Sequence, residues 1–78
     1  MYYIYILKLK NGQYYTGFTR NLKTRVKRHK QSAVRTTARI KPDELIFYAA
    51  FKEQKKALDF ERYLKSSSGF AFRNKRLI

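Results

Sequence analysis

Three sets of side chains in this chain have the types and spacing for chemistry. Arg25 and His29 stand four residues apart, on one side of any helix that holds both. A guanidinium there can grip a phosphate, and an imidazole can pass it a proton. A solvated basic helix face with a half-buried histidine would look the same from spacing alone. Glu61 follows Ala57 by four residues and precedes Leu64 by three, so it lies along the apolar stripe of its helix. A carboxylate in that place costs desolvation unless it is paired or binds a cation. An ion pair with a nearby Arg, or a place at the edge of the stripe, is the structural alternative. Tyr5, Tyr14 and Tyr15 have the usual fate of strand tyrosines open to them, as core or sheet-surface aromatics. They can also offer hydroxyls to a site, or faces on which bases stack. Glu53 and Asp59 read as ordinary solvated helix charges.

Other chemistries are excluded. The run from Gly12 to Thr19 nearly matches a phosphate-binding P-loop. Phe18, however, stands where the Lys would reach the phosphates, and the segment is a hairpin, not a strand-to-helix turn. No Gly-x-Ser-x-Gly elbow supports a Ser-His-Asp hydrolase. With Cys 0 and His 1 there is no disulfide framework and no Cys/His zinc cage.

The elements that must position these groups follow from periodicity. Tyr2 to Leu9 alternates β-branched and aromatic residues and predicts a strand. Asn11-Gly12 is a hairpin signal, and Tyr14 to Phe18 is the returning strand. Local sequence admits two registers. A two-residue turn pairs Lys10 with Gln13 and puts Tyr5 and Tyr15 on opposite faces. A three-residue loop, with Gly12 in the left-handed position of a bulge, pairs Leu7 with Tyr15 and Tyr5 with Gly17, so both phenols share a face. A site that uses both tyrosines demands the second. Asn21 is an N-cap for a helix to about Gln31, with Leu22, Val26 and His29 at helical spacing. Ser32 to Asp43 reads as a basic loop ended by Pro42. Leu45 to Phe51 is an almost unbroken apolar run and predicts a central buried strand. Gln54 to about Lys65 predicts a second helix, with Ala57, Leu58, Phe60 and Leu64 apolar. Ser66 to Gly69 breaks it and caps a final helix from Phe70 to Leu77. The order β-β-α-β-α-α predicts a small α+β fold, its sheet covered by helices.

At 78 residues the chain is one domain at most, and 44% hydrophobic content argues against disorder. Charge is the strongest global signal, at +14. Eleven Lys and Arg precede Pro42 with no acid among them, and all 5 acids lie between Asp43 and Glu61. Such a balance attracts polyanions, nucleic acid first. Membrane is not an expected partner, since no long apolar helix backs the charges and Met1 to Leu7 is too short for a signal core or a span. The absence of Cys is compatible with the cytoplasm, where a nucleic-acid binder would sit on the nucleoid.

Taken together, Tyr3-Ile4-Tyr5, Tyr15-Thr16-Gly17, Asn21-Leu22 with Arg25, Val26 and His29, and Glu61-Arg62-Tyr63-Leu64-Lys65 resemble the GIY-YIG nuclease family, closest to its small stand-alone bacterial members. Nearly the whole chain is covered. The resemblance implies a three-stranded, mainly antiparallel sheet flanked by helices, in one domain spanning residues 1–78. It implies a divalent-metal-dependent cut of a DNA phosphodiester, with Mg²⁺ or Mn²⁺ as cofactor. It further implies that Tyr15 acts as, or helps, the general base on the attacking water. Tyr5 orients that water or the phosphate, Arg25 binds the scissile phosphate, Glu61 holds a metal ion, and His29 assists proton transfer. Tyr3 stands where the family's first Gly is named, and Thr16 replaces the central Ile of the second triplet. Phe18 occupies a place where some members carry Lys, and Asn74 lies near a site Asn of others.

Chemistry and charge agree. A phosphodiester cut must neutralise charge on the phosphoryl oxygens, for which Arg25 is suited, and on the leaving oxygen, for which a metal on Glu61 is suited. A free phenol ionises near pH ~10, and a cationic surrounding favours its ionised form. Arg20, Lys23, Lys27, Arg28, Lys30, Arg35 and Arg39 supply that surrounding and would hold the DNA backbone with little sequence preference. DNA repair or recombination is the expected setting, with a protein partner as a candidate source of specificity. The alternative is a non-catalytic module that binds DNA or RNA with the same charges and aromatics.

Overall fold

The residues Tyr2–Leu9 form strand β1, and the side chains of Ile4, Tyr5, Ile6 and Leu7 leave almost no surface to solvent. A computed structural model of the chain describes residues 1–30 and 42–78 and, of residues 29, 30, 42 and 43, the backbone alone. Strand β2 (Tyr14–Thr19) returns antiparallel along one edge of β1, and β3 (Pro42–Phe51) lies antiparallel along the other. Helix α1 (Leu22–Lys30) precedes β3, and α2 (Gln54–Leu64) and α3 (Ser67–Arg76) follow it. This is the expected α+β architecture, order β-β-α-β-α-α, with a three-stranded antiparallel sheet.

The hairpin takes the bulged register. Tyr5 pairs with Gly17 and Leu7 with Tyr15. The turn closes by Gly12 N–H donating to the Leu9 carbonyl at 2.9 Å and Leu9 N–H to the Gln13 carbonyl at 2.8 Å. Gly12 has φ of 86°, a left-handed backbone that a Cβ disfavours. Asn11 Oδ1 accepts from Gln13 N–H at 3.0 Å and ties the turn to the next strand.

The sheet has a different core on each face, as the alternation of strand side chains requires. On one face Ile4 and Ile6 pack against Ala57 and Leu64 of α2, with Phe47, Phe51 and Phe60 around them. On the other, Tyr5, Leu7 and Leu9 pack against Tyr15, Leu45 and the α1 residues Leu22 and Val26.

Two expectations are corrected. The apolar run from Leu45 to Phe51 is not a central strand: β3 is an edge strand, longer at its start than predicted, and β1 is central. The hairpin partner already occupies one side of β1, so β3 can join only the free side. Its residues read as uniformly apolar because helices cover both sheet faces, yet Tyr48 remains 55% exposed. A register shift between Ile6 and Leu7 lets Ile46 and Phe47 both serve the α2 face while Leu45 serves the α1 face. Helix α3 begins at Ser67, before the predicted Phe70, because Ser66 caps it, its Oγ accepting from Gly69 N–H at 3.2 Å. Most of the predicted basic loop lies outside the described residues.

Candidate active site

Tyr5 is the centre of the site, and burial defines its chemistry. Its phenol is fully buried on the α1 face and hydrogen-bonded with Tyr15, the two rings 6.2 Å apart at 43°. Desolvation, chiefly, raises the Tyr5 pKa well above the ordinary phenol range. The nearby Tyr15 opposes a second negative charge, and the bond between the two hydroxyls favours the neutral Tyr5 as well. Arg25 acts the other way, and the Glu61 carboxylate adds to the rise. Groups from β1, β2, α1 and α2 therefore come within electrostatic reach of one hydroxyl. Tyr5, Tyr15, Arg25 and Glu61 are brought together.

Gly17 makes this possible. A Cβ built at Gly17 would overlap Cζ and the hydroxyl of Tyr5 and stand 2.8 Å from its Cε1. The phenol lies over the glycine backbone of the neighbouring strand, in space that any other residue would fill. The sequence places Gly17 in a triplet and across from Tyr5 in the bulged register, but gives it no role of its own. That register sets a glycine directly opposite the tyrosine, and the path of the ring over it supplies the reason.

Arg25 is placed by the start of α1. Asn21 Oδ1 accepts from Thr24 N–H at 3.1 Å, and the Asn21 carbonyl accepts from Arg25 N–H at 3.1 Å. Thr19, buried at the end of β2, locks Asn21 in turn, its Oγ1 accepting from Asn21 N–H at 3.1 Å. The N-cap thus ties the helix to the strand that carries Tyr15. Arg25 lines a cleft of about 370 Å³ with Phe18, Thr19, Arg20, Asn21, Thr24 and Arg28. Three guanidinium groups and a helix start suit a phosphate. Arg20, Lys23 and Lys27 line a second, larger cleft of about 780 Å³ between α1 and β3. His29 and Lys30 belong to α1, but their side chains lie outside the described ones, and Arg35 and Arg39 lie outside the described residues.

Glu61 sits on α2, its side chain 21% exposed, with an i, i+4 ion pair to Lys65 Nζ at 3.3 Å. The structural alternatives were an ion pair with a nearby Arg or a place at the edge of the stripe; the structure has an ion pair, but with Lys65, whose side chain is 57% exposed, and such a pair adds little stability. The carboxylate is half-buried, and its ion-pair partner among the described residues is this exposed lysine. Among the described residues no group of three or more His, Cys, Asp or Glu could cage a metal ion. One carboxylate within electrostatic reach of the Tyr5 phenol fits a hard cation that keeps most of its waters, as Mg²⁺ does, and does not fit a zinc-type site. Asn74 Oδ1 is taken up by Arg73, whose Nε and Nη2 donate to it at 3.2 and 2.9 Å. Arg73 is buried and stacks over the rings of Tyr14 (5.2 Å) and Phe70 (4.4 Å), which pins α3 to the sheet.

Comparison with known proteins places the chain in a family. A family model described as the GIY-YIG catalytic domain matches residues 1–76. A UPF0213 protein of Clostridium perfringens (strain 13 / Type A) is 36% identical over 66 residues, covering 83% of this chain and 71% of that protein. A UPF0213 protein of Pediococcus acidilactici is 34% identical, covering 86% and 71%, and UPF0213 protein YazA of Bacillus subtilis is 34% identical, covering 82% and 66%. No solved structure matches. A sheet that sets Tyr5 against Gly17 and Tyr15, with Arg25 and Glu61 within electrostatic reach of its hydroxyl, is thus found in a chain that belongs to the GIY-YIG family of nuclease domains.

Proposed function

We propose that this chain is a divalent-metal-dependent endonuclease that hydrolyses DNA phosphodiester bonds with little intrinsic sequence preference, as one domain, in DNA repair or recombination on the nucleoid. The observation that carries the reading is the Tyr5–Tyr15 phenol pair, with Arg25 and Glu61 within electrostatic reach of the buried Tyr5 hydroxyl. Each has a role that its surroundings support. Tyr5, kept neutral by burial, serves as a hydrogen-bond donor and not as a base. Its bond to Tyr15 fixes the position of that second phenol, and Tyr15 receives the proton of the attacking water. His29, four residues after Arg25 in the sequence, takes that proton onward. Arg25 holds the scissile phosphate, with Arg20 and Arg28 in the same cleft for its neighbours. Glu61 would hold Mg²⁺ or Mn²⁺, which when bound neutralises charge on the leaving oxygen. Lys23, Lys27, Lys30, Arg35 and Arg39 hold the flanking backbone.

The test is cleavage of linear, nicked and branched DNA by purified protein, with and without Mg²⁺ or Mn²⁺, alongside Glu61→Gln. Metal-dependent cutting by the wild type is expected. The variant should lose activity by orders of magnitude, melt within a few degrees of wild type, and bind DNA as well or better, since it sheds one negative charge. Binding without cutting under any metal would favour the non-catalytic reading instead. A destabilised variant that still cuts near the wild-type rate would reject the metal role.

A further inference from the structure

The cleft between α1 and β3 holds two tyrosines that the hydrolytic chemistry does not use. Tyr48 lies directly across from Tyr5 in the β1–β3 register, so both rise from the same sheet face. Tyr3 is paired with Ala50, which makes it the diagonal neighbour of Tyr48 on that face. Tyr5 is fully buried, whereas Tyr48 is 55% exposed. Leu22 and Val26 of α1 and Leu45 of β3 form the apolar wall beside these rings. Arg20, Lys23 and Lys27 form the rim, and no acid is among the described residues that line it. The cleft measures about 780 Å³, room for a nucleobase and its sugar. Arg20 and Asn21 also line the cleft that holds Arg25, so the two clefts adjoin.

We infer that this cleft is a base-binding subsite, in which an unpaired nucleobase next to the cleaved phosphate stacks on Tyr48 and Tyr3 while Lys23 and Lys27 hold its backbone. The inference rests on the nuclease reading for its ligand class. Exposed aromatic faces beside cations are the elements that hold single strands, because every base has a π-face and every linkage a charge. A paired base in a duplex has both faces covered by its neighbours and cannot reach the ring. The subsite therefore favours DNA with a single-stranded segment at the junction, and it does so through shape and stacking, not through base identity.

The experiment is fluorescence anisotropy in EDTA, where binding is read without cleavage. The probes are a blunt duplex and a duplex with a single-stranded dT tail, matched in number of phosphates. The wild type is expected to bind the tailed duplex about tenfold more tightly, the scale of one aromatic–base stack. Tyr48→Ala should erase that advantage and leave blunt-duplex affinity unchanged, while Tyr48→Phe, which keeps the ring, should retain it. Equal affinity of the wild type for both probes would overturn the inference. So would a Tyr48→Ala variant that loses the same factor on both probes, or none on either. Cleavage is assayed separately. If no DNA is cut with any metal, the nuclease reading fails, and a tail preference that depends on Tyr48 still supports the subsite.

Discussion

Replacing Gly17 by alanine isolates the contact on which the site is built. In an ordinary strand this change is favourable, by about 0.5–1 kcal/mol, because glycine loses more backbone freedom on folding. Gly17 is not at positive φ, so the backbone accepts alanine. The side chain does not: its Cβ would stand 2.8 Å from Tyr5 Cε1, where ordinary contact begins at 3.4 Å, and would overlap Cζ and the hydroxyl outright. The Tyr5 ring must move by more than half an ångström, and it is fully buried, with packed neighbours on its face. Overpacking of this kind costs about 1–3 kcal/mol, which outweighs the strand preference. For a domain of this size the melting temperature should fall by roughly 5–20 °C. A displaced Tyr5 hydroxyl also loses its bond to Tyr15, and misplacement by ~1 Å in a reacting group costs about 10²-fold in rate. The assays are thermal melting by circular dichroism and single-turnover cleavage. Tyr5→Leu supplies the control, since it removes the atoms that alanine would strike. In that background Gly17→Ala should become neutral or stabilising, giving a coupling of opposite sign to the single change. If Gly17→Ala melts like wild type, or costs as much without the Tyr5 ring as with it, the argument that the glycine exists to admit the phenol is wrong.

Three further outcomes are expected. Gly12→Ala should lower stability by about 1 kcal/mol through backbone strain alone, since nothing lies within 4 Å of its Cβ, and Gly12→Asn should cost less; melting checks both. Stability should fall as pH rises above ~10, by up to about 1.4 kcal/mol per unit from Tyr5, because the unfolded chain releases the phenol proton while the folded one retains it. Tyr5→Phe should flatten that part of the curve, and an identical alkaline limb in the variant would exclude Tyr5 as its source. DNA affinity should lose about 10³-fold or more between ~50 and ~200 mM salt and should vary little among unrelated sequences, as gel shifts over a salt series will read.

Much of this was legible in the residues, and the parts that were not share a physical cause. The bulged hairpin could be chosen because a period of two makes register and facing equivalent: once Tyr5 and Tyr15 must share a site, only one pairing remains. The caps at Asn21 and Ser66 were legible because capping is local and acts within three residues. Strand order was not local. An apolar run such as Leu45–Phe51 reports that both faces are covered, and it does not report how many neighbours bond to its edges. The exposed ring of Tyr48 was hidden for the same reason. Spacing showed that Glu61 faces the apolar stripe, but not that Lys65, one turn later, would be its partner. Gly17 shows the reverse case: its position was plain, and its reason needed the ring that crosses it.

Tyr5 bears two burdens that constrain any test of the site. It is among the largest fully buried side chains, and with Leu7 and Leu9 it forms the buried cluster on the α1 face. Its hydroxyl also lies within electrostatic reach of the other site groups. Truncating a buried aromatic to alanine costs about 3–5 kcal/mol, and a core of this size supplies only ~3–5 kcal/mol in all. Tyr5→Ala should therefore unfold the chain, and lost cleavage in that variant would carry no information about chemistry. Tyr5→Phe keeps the ring over Gly17 and removes only the donor to Tyr15. It should stay folded at neutral pH and lose rate. The two variants compared by melting and by cleavage separate the burdens: a folded Tyr5→Phe protein with undiminished cleavage would show that the hydroxyl serves packing alone.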